Sequence, residues 1–256
     1  MTATVTPAEG VEKRCAVRYR DYVTESARSV IKSRLDRILD SAADLLVRWG
    51  YQRVTVEDVA KKAGIGKGTV YLHFRTKESL FLAVLLRVQQ AVGAGMVERM
   101  RADPRHALPS RMISAVYRAL AEDPVTHRIY FGDADTLGRL AHEAAETLGE
   151  LSARRDAVMT EHLALLRESG LLRTELDPAA ARYVLSAVST GFFLTDSMAL
   201  PAAPADLEVR ARLLEHSLAA ALETGGAPSR QLADRVAARY QSLIDHLDNE
   251  WRHRVR

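Results

Sequence analysis

From about residue 31 onward, apolar residues recur at three- and four-residue steps, and nowhere do they alternate with polar ones. That period suits helices and cannot hold a half-buried strand, whose faces repeat every second residue. The spacing predicts an all-α fold. Leu35, Ile38, Leu39, Ala42, Leu46 and Trp49 make one face of a first helix, and Gly50 stands where a left-handed stop is needed. Thr55 and Asp58 have capping-box spacing for a short second helix with an inner stripe of Val56, Val59, Ala60 and Ala63. Gly64-Ile65-Gly66 ends that helix, and a third short one runs from about Lys67 to Phe74. Thr76 is placed to cap a long fourth helix that begins its stripe at Leu80 and Phe81. Further breakers, among them Asp123-Pro124, Ser169-Gly170, Asp177-Pro178 and Gly225-Gly226, divide the remainder into helices. Asp177 as cap with Pro178 as first helical residue marks one start.

Two short helices joined by a glycine turn form a helix-turn-helix, a unit that offers its second helix to the DNA major groove. With Val70 as the buried centre and about 100° per residue, Phe74 and Lys67 fall on its side, while Gly68 and Leu72 point away, flanked by Thr69 and Tyr71. Such a face is poor for a solvated helix. Glycine costs about 1 kcal/mol relative to alanine inside a helix, and Leu72 would present apolar surface to water. Both suit DNA: glycine permits close backbone approach, and Leu72 or the Thr69 methyl can touch a thymine methyl. Lys67 can reach a guanine edge or a phosphate, and Tyr71 and His73 offer donors to phosphates. Lys77 lies in the first turn of the fourth helix, where the dipole disfavours a cation and a phosphate would offset the penalty. Charge agrees with a polyanion at this end. Residues 1–80 hold 15 Lys+Arg against 10 Asp+Glu, whereas 81–256 hold 21 against 23.

The run from Val54 to Leu80 closely resembles the signature of TetR-family regulators, through Thr55, Val59-Ala60, Gly64, Gly68-Thr69-Val70-Tyr71, His73-Phe74 and Lys77-Glu78. The resemblance is close over 31–90 and continues over 91–222 only in helix rhythm. It implies DNA contact through Thr55, Lys67, Gly68, Thr69, Tyr71, His73 and Lys77. Leu72 departs mildly from the family pattern but shares the outward face. The expected division is a flexible arm over 1–28, a helix-turn-helix domain over 29–76, a ligand-binding and dimerisation domain over 77–224 and an extension helix over 225–256. Pairing of two copies would use helices near 178–198 and 206–223. The apolar stripes available for it are Val184, Leu185, Val188, Gly191, Phe192 and Thr195 on the first, and Leu207, Leu213, Leu214, Leu218 and Leu222 on the second. Pocket candidates are Tyr117, His127, Tyr130, Phe131, His142, Met159, His162 and Phe193. The implied partners are an operator duplex, a second copy and a small-molecule effector, with no cofactor and no membrane. The implied role is a repressor released from a palindromic operator by population shift. A DNA-binding activator or architectural protein without a small ligand stays open.

No run approaches the ~18 consecutive apolar residues of a membrane span; the longest is Leu80 to Leu86. The first 30 residues carry charges throughout, and the single cysteine, Cys15, excludes an intrachain disulfide. A cytoplasmic protein is expected. Enzyme signatures fail on inspection. His142-Glu143 begins a zinc-protease-like string, but Glu146 stands where the second histidine is required, and Glu250-x-x-His253 is unaccompanied. No Gly-rich phosphate loop or Gly-x-Ser-x-Gly elbow occurs, so no enzymatic role is expected. Leu232, Val236, Tyr240, Leu243, Leu247 and Trp251 make a heptad-like seam on the extension helix, which can pack on its own chain, reach a partner or extend a pocket wall. Lys13, Arg14, Arg18 and Arg20 give the arm a means of touching phosphates, unless it is only a solubilising tail.

Overall fold

A computed structural model describes residues 34–130, 149–197 and 203–254, with the backbone alone at Tyr130, Ser197 and 248–254. The arm over 1–28, Phe131, His142 and the side chains of Tyr130 and Trp251 lie outside the described residues. In chain order the helices are α1 (34–49), α2 (Val56–Ala63), α3 (Lys67–His73), α4 (Lys77–Ala102), α5 (Pro109–Glu122), α6 (Pro124–Tyr130), α7 (Gly149–Glu168), α8 (Pro178–Ser197), α9 (Leu207–Leu222) and α10 (Arg230–Arg254). A 3₁₀ turn, Pro104–Ala107, joins α4 to α5. Among the described residues no strand forms; a single antiparallel bridge pairs Leu172 with Glu223.

Local chemistry sets the helix ends. Gly50 and Gly64 take φ of 78° and 68°, a region closed to most side chains. The Thr55 hydroxyl accepts from the Asp58 amide at 3.1 Å while the Asp58 carboxylate accepts from the Thr55 amide at 3.0 Å. Thr76 and Ser79 repeat that reciprocal box at the start of α4. Asp177 accepts from the Ala180 amide at 2.8 Å and so starts α8.

Three cores result. The head core joins α1, α2, α3 and the first two turns of α4, with Ile38, Leu46, Val59, Val70 and Phe81 fully buried. It also takes Val125 and Ile129 from α6, which therefore belongs to the head's packing although it lies 50 residues further on. The body core gathers Tyr117, Leu166, Leu185, Leu214 and Leu218 from α5, α7, α8 and α9. The third core lays α10 along α4, through Val236, Ala237 and Tyr240 against Val97 and Met100. At Gly93 the two helices come so close that a Cβ would lie 3.3 Å from Ile244. Arg230 donates to the Arg101 and Ala102 carbonyls, closing the C-terminal end of α4. Of the courses open to the extension helix, packing on its own chain is the one observed. By length and composition α4 could cross a bilayer. Its most apolar stretch, Leu80 to Leu85, is instead buried in the head.

The stripes nominated for pairing two copies require correction. Leu185, Leu214, Leu218 and Leu222 are buried in the body core, with Val184, Val188, Phe192 and Leu207 packed against it. Those residues are turned into the chain's own core, whereas Gly191 and Leu213 of the same stripes stay exposed. On the side away from Leu185, α8 exposes Ala179, Tyr183, Ala187, Thr190, Gly191 and Leu194. Tyr183 is 74% exposed, and Leu213 of α9 is likewise exposed.

Candidate nucleic-acid interface

The short α3 is held by one apolar anchor. Val70 has no exposed surface, and Phe74, at the helix end, enters the same core. Everything opposite faces out: Leu72 is 79% exposed, Tyr71 44%, and Gly68 is exposed as well. A Cβ built on Gly68 meets nothing within 4 Å, so the chain's own packing does not demand glycine there. A side chain there would point into open space. Thr69 and His73 are half-buried at the flanks, the His73 ring tilted against Phe74.

Lys67 differs from the helical-wheel expectation. Rather than lying on Val70's side, it is exposed, because it occupies the first position of a seven-residue helix with no turn packed over it. Its ammonium reaches back to Glu57 on α2, 3.2 Å away. Thr55 stays exposed, its hydroxyl engaged with Asp58 in the cap of α2. Lys77 has its ammonium 4.2 Å from the centre of the Tyr51 ring and 3.5 Å from the Gln52 carbonyl oxygen. The Tyr51 hydroxyl donates to Glu78 at 2.8 Å, and its ring stands edge-on to Phe81. The cation at the start of α4 thus rests on an aromatic face and a carbonyl, both of which offset the unfavourable dipole. The structure brings Thr55, Lys67, Gly68, Thr69, Tyr71, Leu72, His73 and Lys77 onto α3 and the two helix starts beside it. Glu57 and Tyr51 were not singled out from the sequence. Glu57 occupies an ordinary surface position of α2, and only the fold shows that it meets Lys67.

Five of the pocket candidates fall within the described residues. Tyr117 is fully buried, donates to Asp196 and accepts from Arg210 Nε at 3.1 Å. Burial, and then the Asp196 carboxylate, push its hydroxyl up to about 12. His162 is fully buried between the Ala107 carbonyl oxygen (2.7 Å) and the Tyr240 hydroxyl (3.1 Å). Met159 sits beside that hydroxyl at 3.5 Å, Phe193 packs edge-on against Tyr117 at 5.3 Å, and His127 is exposed on α6. A cavity of about 280 Å³ lies instead between α4 and α5. Small side chains make its walls, including Ala91, Gly95, Ala115 and Ala119, with Met96 beside them and Arg99 and Asp123 at its margin. A search for aromatic and imidazole groups passes over such a site, whereas facing runs of alanine and glycine on two adjacent helices would have marked it.

Residues 38–84, the head almost in full, match the family of bacterial regulatory proteins named for TetR. Over that stretch the head is similar to the DNA-binding unit of TetR-family regulators. Among its relatives is the fatty acid metabolism regulator protein of Bacillus subtilis (strain 168), 25% identical over 58% of this chain and 76% of that protein. The regulator EthR of Mycolicibacterium smegmatis is 33% identical over 40% of this chain, a match spanning about half of that protein (48%). In three dimensions, SmeT in its complex with triclosan superposes with a TM-score of 0.57 and 27% identity, covering 77% of this chain and 95% of that one. The chain therefore has the architecture of these regulators, a helix-turn-helix head followed by a helical body.

Proposed function

We propose that this chain is a TetR-family regulator that acts in the cytoplasm as a homodimeric repressor, reads a palindromic operator with its two α3 helices and releases it when a small molecule enters the body. The observation that carries the DNA reading is the outward face of α3, apolar at Leu72 and bare at Gly68, on a helix pinned by Val70. Contacts to DNA are assigned to Thr55, Lys67, Gly68, Thr69, Tyr71, Leu72, His73 and Lys77. One seven-residue helix reads too few base pairs alone, and two-fold pairing is the usual remedy. The exposed face of α8, with Tyr183, Leu194 and the neighbouring Leu213 among small residues that permit close helix approach, supports a second copy there. The cavity between α4 and α5 supports an effector, and a similar protein, SmeT, binds triclosan. Because α6 begins at Asp123 on the cavity margin and ends with Ile129 in the head core, a ligand that shifts α5 or α6 reorients the head.

Selection of duplexes from a random library, followed by titration at several salt concentrations, tests this reading. A symmetric site is expected. Tyr71→Ala and Lys77→Ala should weaken binding to every duplex, Lys77→Ala also flattening its salt dependence, whereas Lys67→Ala should relax sequence preference by about 1–3 kcal/mol if Lys67 reads a base edge and weaken all duplexes alike if it holds a phosphate. Failure of the wild type to bind any duplex at low salt, or unchanged affinity in all three variants, would overturn it.

A further inference from the structure

Both lysines assigned to DNA are engaged in the DNA-free head. Lys77 lies over the Tyr51 ring and beside the Gln52 carbonyl. Lys67 rests on a carboxylate, Glu57 Oε2, at 3.2 Å. The contact joins the second residue of α2 to the first residue of α3, the two helices of the DNA-reading unit. Glu57 has no part in the cap of α2, since Asp58 performs that task with Thr55. Its carboxylate is among the most exposed in the head, with 72% of the side chain open to solvent. It lies on the side that must meet a polyanion.

From this arrangement we propose that Glu57 is an internal competitor for the DNA: it takes the ammonium of Lys67 in the free head, so each head that docks must exchange this carboxylate for a DNA acceptor. Glu57 thereby sets how tightly the regulator holds any duplex and keeps the complex easy to dissolve. The inference rests on the DNA reading of α3 given above. Its signature is electrostatic. A lysine that neutralises a phosphate releases a counterion, and the salt slope records the number released. When Lys67 leaves Glu57, the uncovered carboxylate gathers a cation and cancels part of that release. Removing the carboxylate therefore strengthens binding and steepens the slope, but only while Lys67 is present to use the gain.

The test is a double-mutant cycle of Glu57→Gln and Lys67→Ala in the full chain, on a duplex recovered by selection with the wild type and on a scrambled duplex. Exposed ion pairs of this kind correspond to about a threefold change per head, hence about tenfold when two heads dock. Glu57→Gln is expected to raise affinity for the selected duplex by about that factor and steepen its salt slope by up to about one ion per head. In the Lys67→Ala background the same change should shift affinity less than twofold. An equal gain in both backgrounds would mean that Glu57 acts on phosphates directly, and no gain in the wild-type background would mean that it does not compete; either result overturns the proposal. A wild type that ignores both duplexes defeats the DNA reading itself, a separate and recognisable failure. Circular dichroism melting should shift only slightly in Glu57→Gln, because the residue is exposed and outside the cap and what is lost is one carboxylate from the first turn of α2.

Discussion

Acid should loosen this protein through one imidazole. His162 of α7 has no exposed surface, and its Nε2 lies 2.7 Å from the Ala107 carbonyl oxygen. A carbonyl can only accept, so Nε2 carries the proton and Nδ1 accepts from the Tyr240 hydroxyl at 3.1 Å. That arrangement is complete with a neutral ring, and burial drives the pKa from 6.5 down to about 4. The unfolded chain takes up a proton near pH 6.5, while the folded chain resists until about pH 4. The stability contributed by the neutral ring is therefore fully present above pH 6.5 and drains away as pH falls to about 4. A gap of about 2.5 pH units corresponds to about 3 kcal/mol. Urea unfolding of wild type and His162→Gln should be compared at pH 7.5, 6.0, 5.0 and 4.5. Glutamine can donate to Ala107 and accept from Tyr240, yet it does not titrate. The wild type is expected to lose stability relative to the variant progressively below pH 6.5, approaching the full difference near pH 4. Parallel pH profiles would refute the reasoning, since they would mean that the ring is already charged in the folded chain or reached by solvent.

Two further outcomes follow from the packing. Ile129→Ala removes a fully buried side chain from the head core and should lower stability by about 2–4 kcal/mol in denaturant titrations, although residue 129 lies far along the chain from the helix-turn-helix. A loss under 0.5 kcal/mol would separate α6 from the head. Tyr183→Glu combined with Leu194→Glu places charges on the exposed face of α8 and should shift the mass measured by light scattering from dimer to monomer, with helicity retained; a mass unaffected by both changes would move the pairing surface elsewhere.

Which parts of this architecture could be read from the chain follows a physical rule. The head was legible because its signals are local. Capping boxes at Thr55 and Thr76, positive-φ glycines at 50 and 64, and the 100° step that puts Leu72 opposite Val70 depend on neighbours within one turn. The place of Lys67 was misjudged because the wheel assumes a helix packed along its whole length, and a first residue escapes that condition. Partner choice was not legible. An apolar stripe such as Leu214, Leu218 and Leu222 reports that a face is buried, never against what, and here it is the chain's own α5 that covers α9. The face left open on α8 is built of alanine, threonine and glycine with Tyr183 and Leu194 between them, a pattern too mixed to register as a stripe. The cavity escaped for the converse reason, since it is made by side chains that are missing.

The packing also limits how the body can act on the head. Leu80 to Leu85 of α4 and Val125 and Ile129 of α6 are integral to the head core, so neither helix can slide through the head without opening a close-packed interior. Displacement of either must carry the head as a rigid unit. Further along, α4 is clasped by α10 through Val97, Met100 and the contact at Gly93, and its end is closed by Arg230. The cavity lies along Val88 to Arg99, where α4 meets the small residues of α5, over the same stretch that α10 contacts at Gly93 and Val97. On the function proposed above, a guest that displaces α4 there would carry the head with it, because the far end of α4 is held by α10.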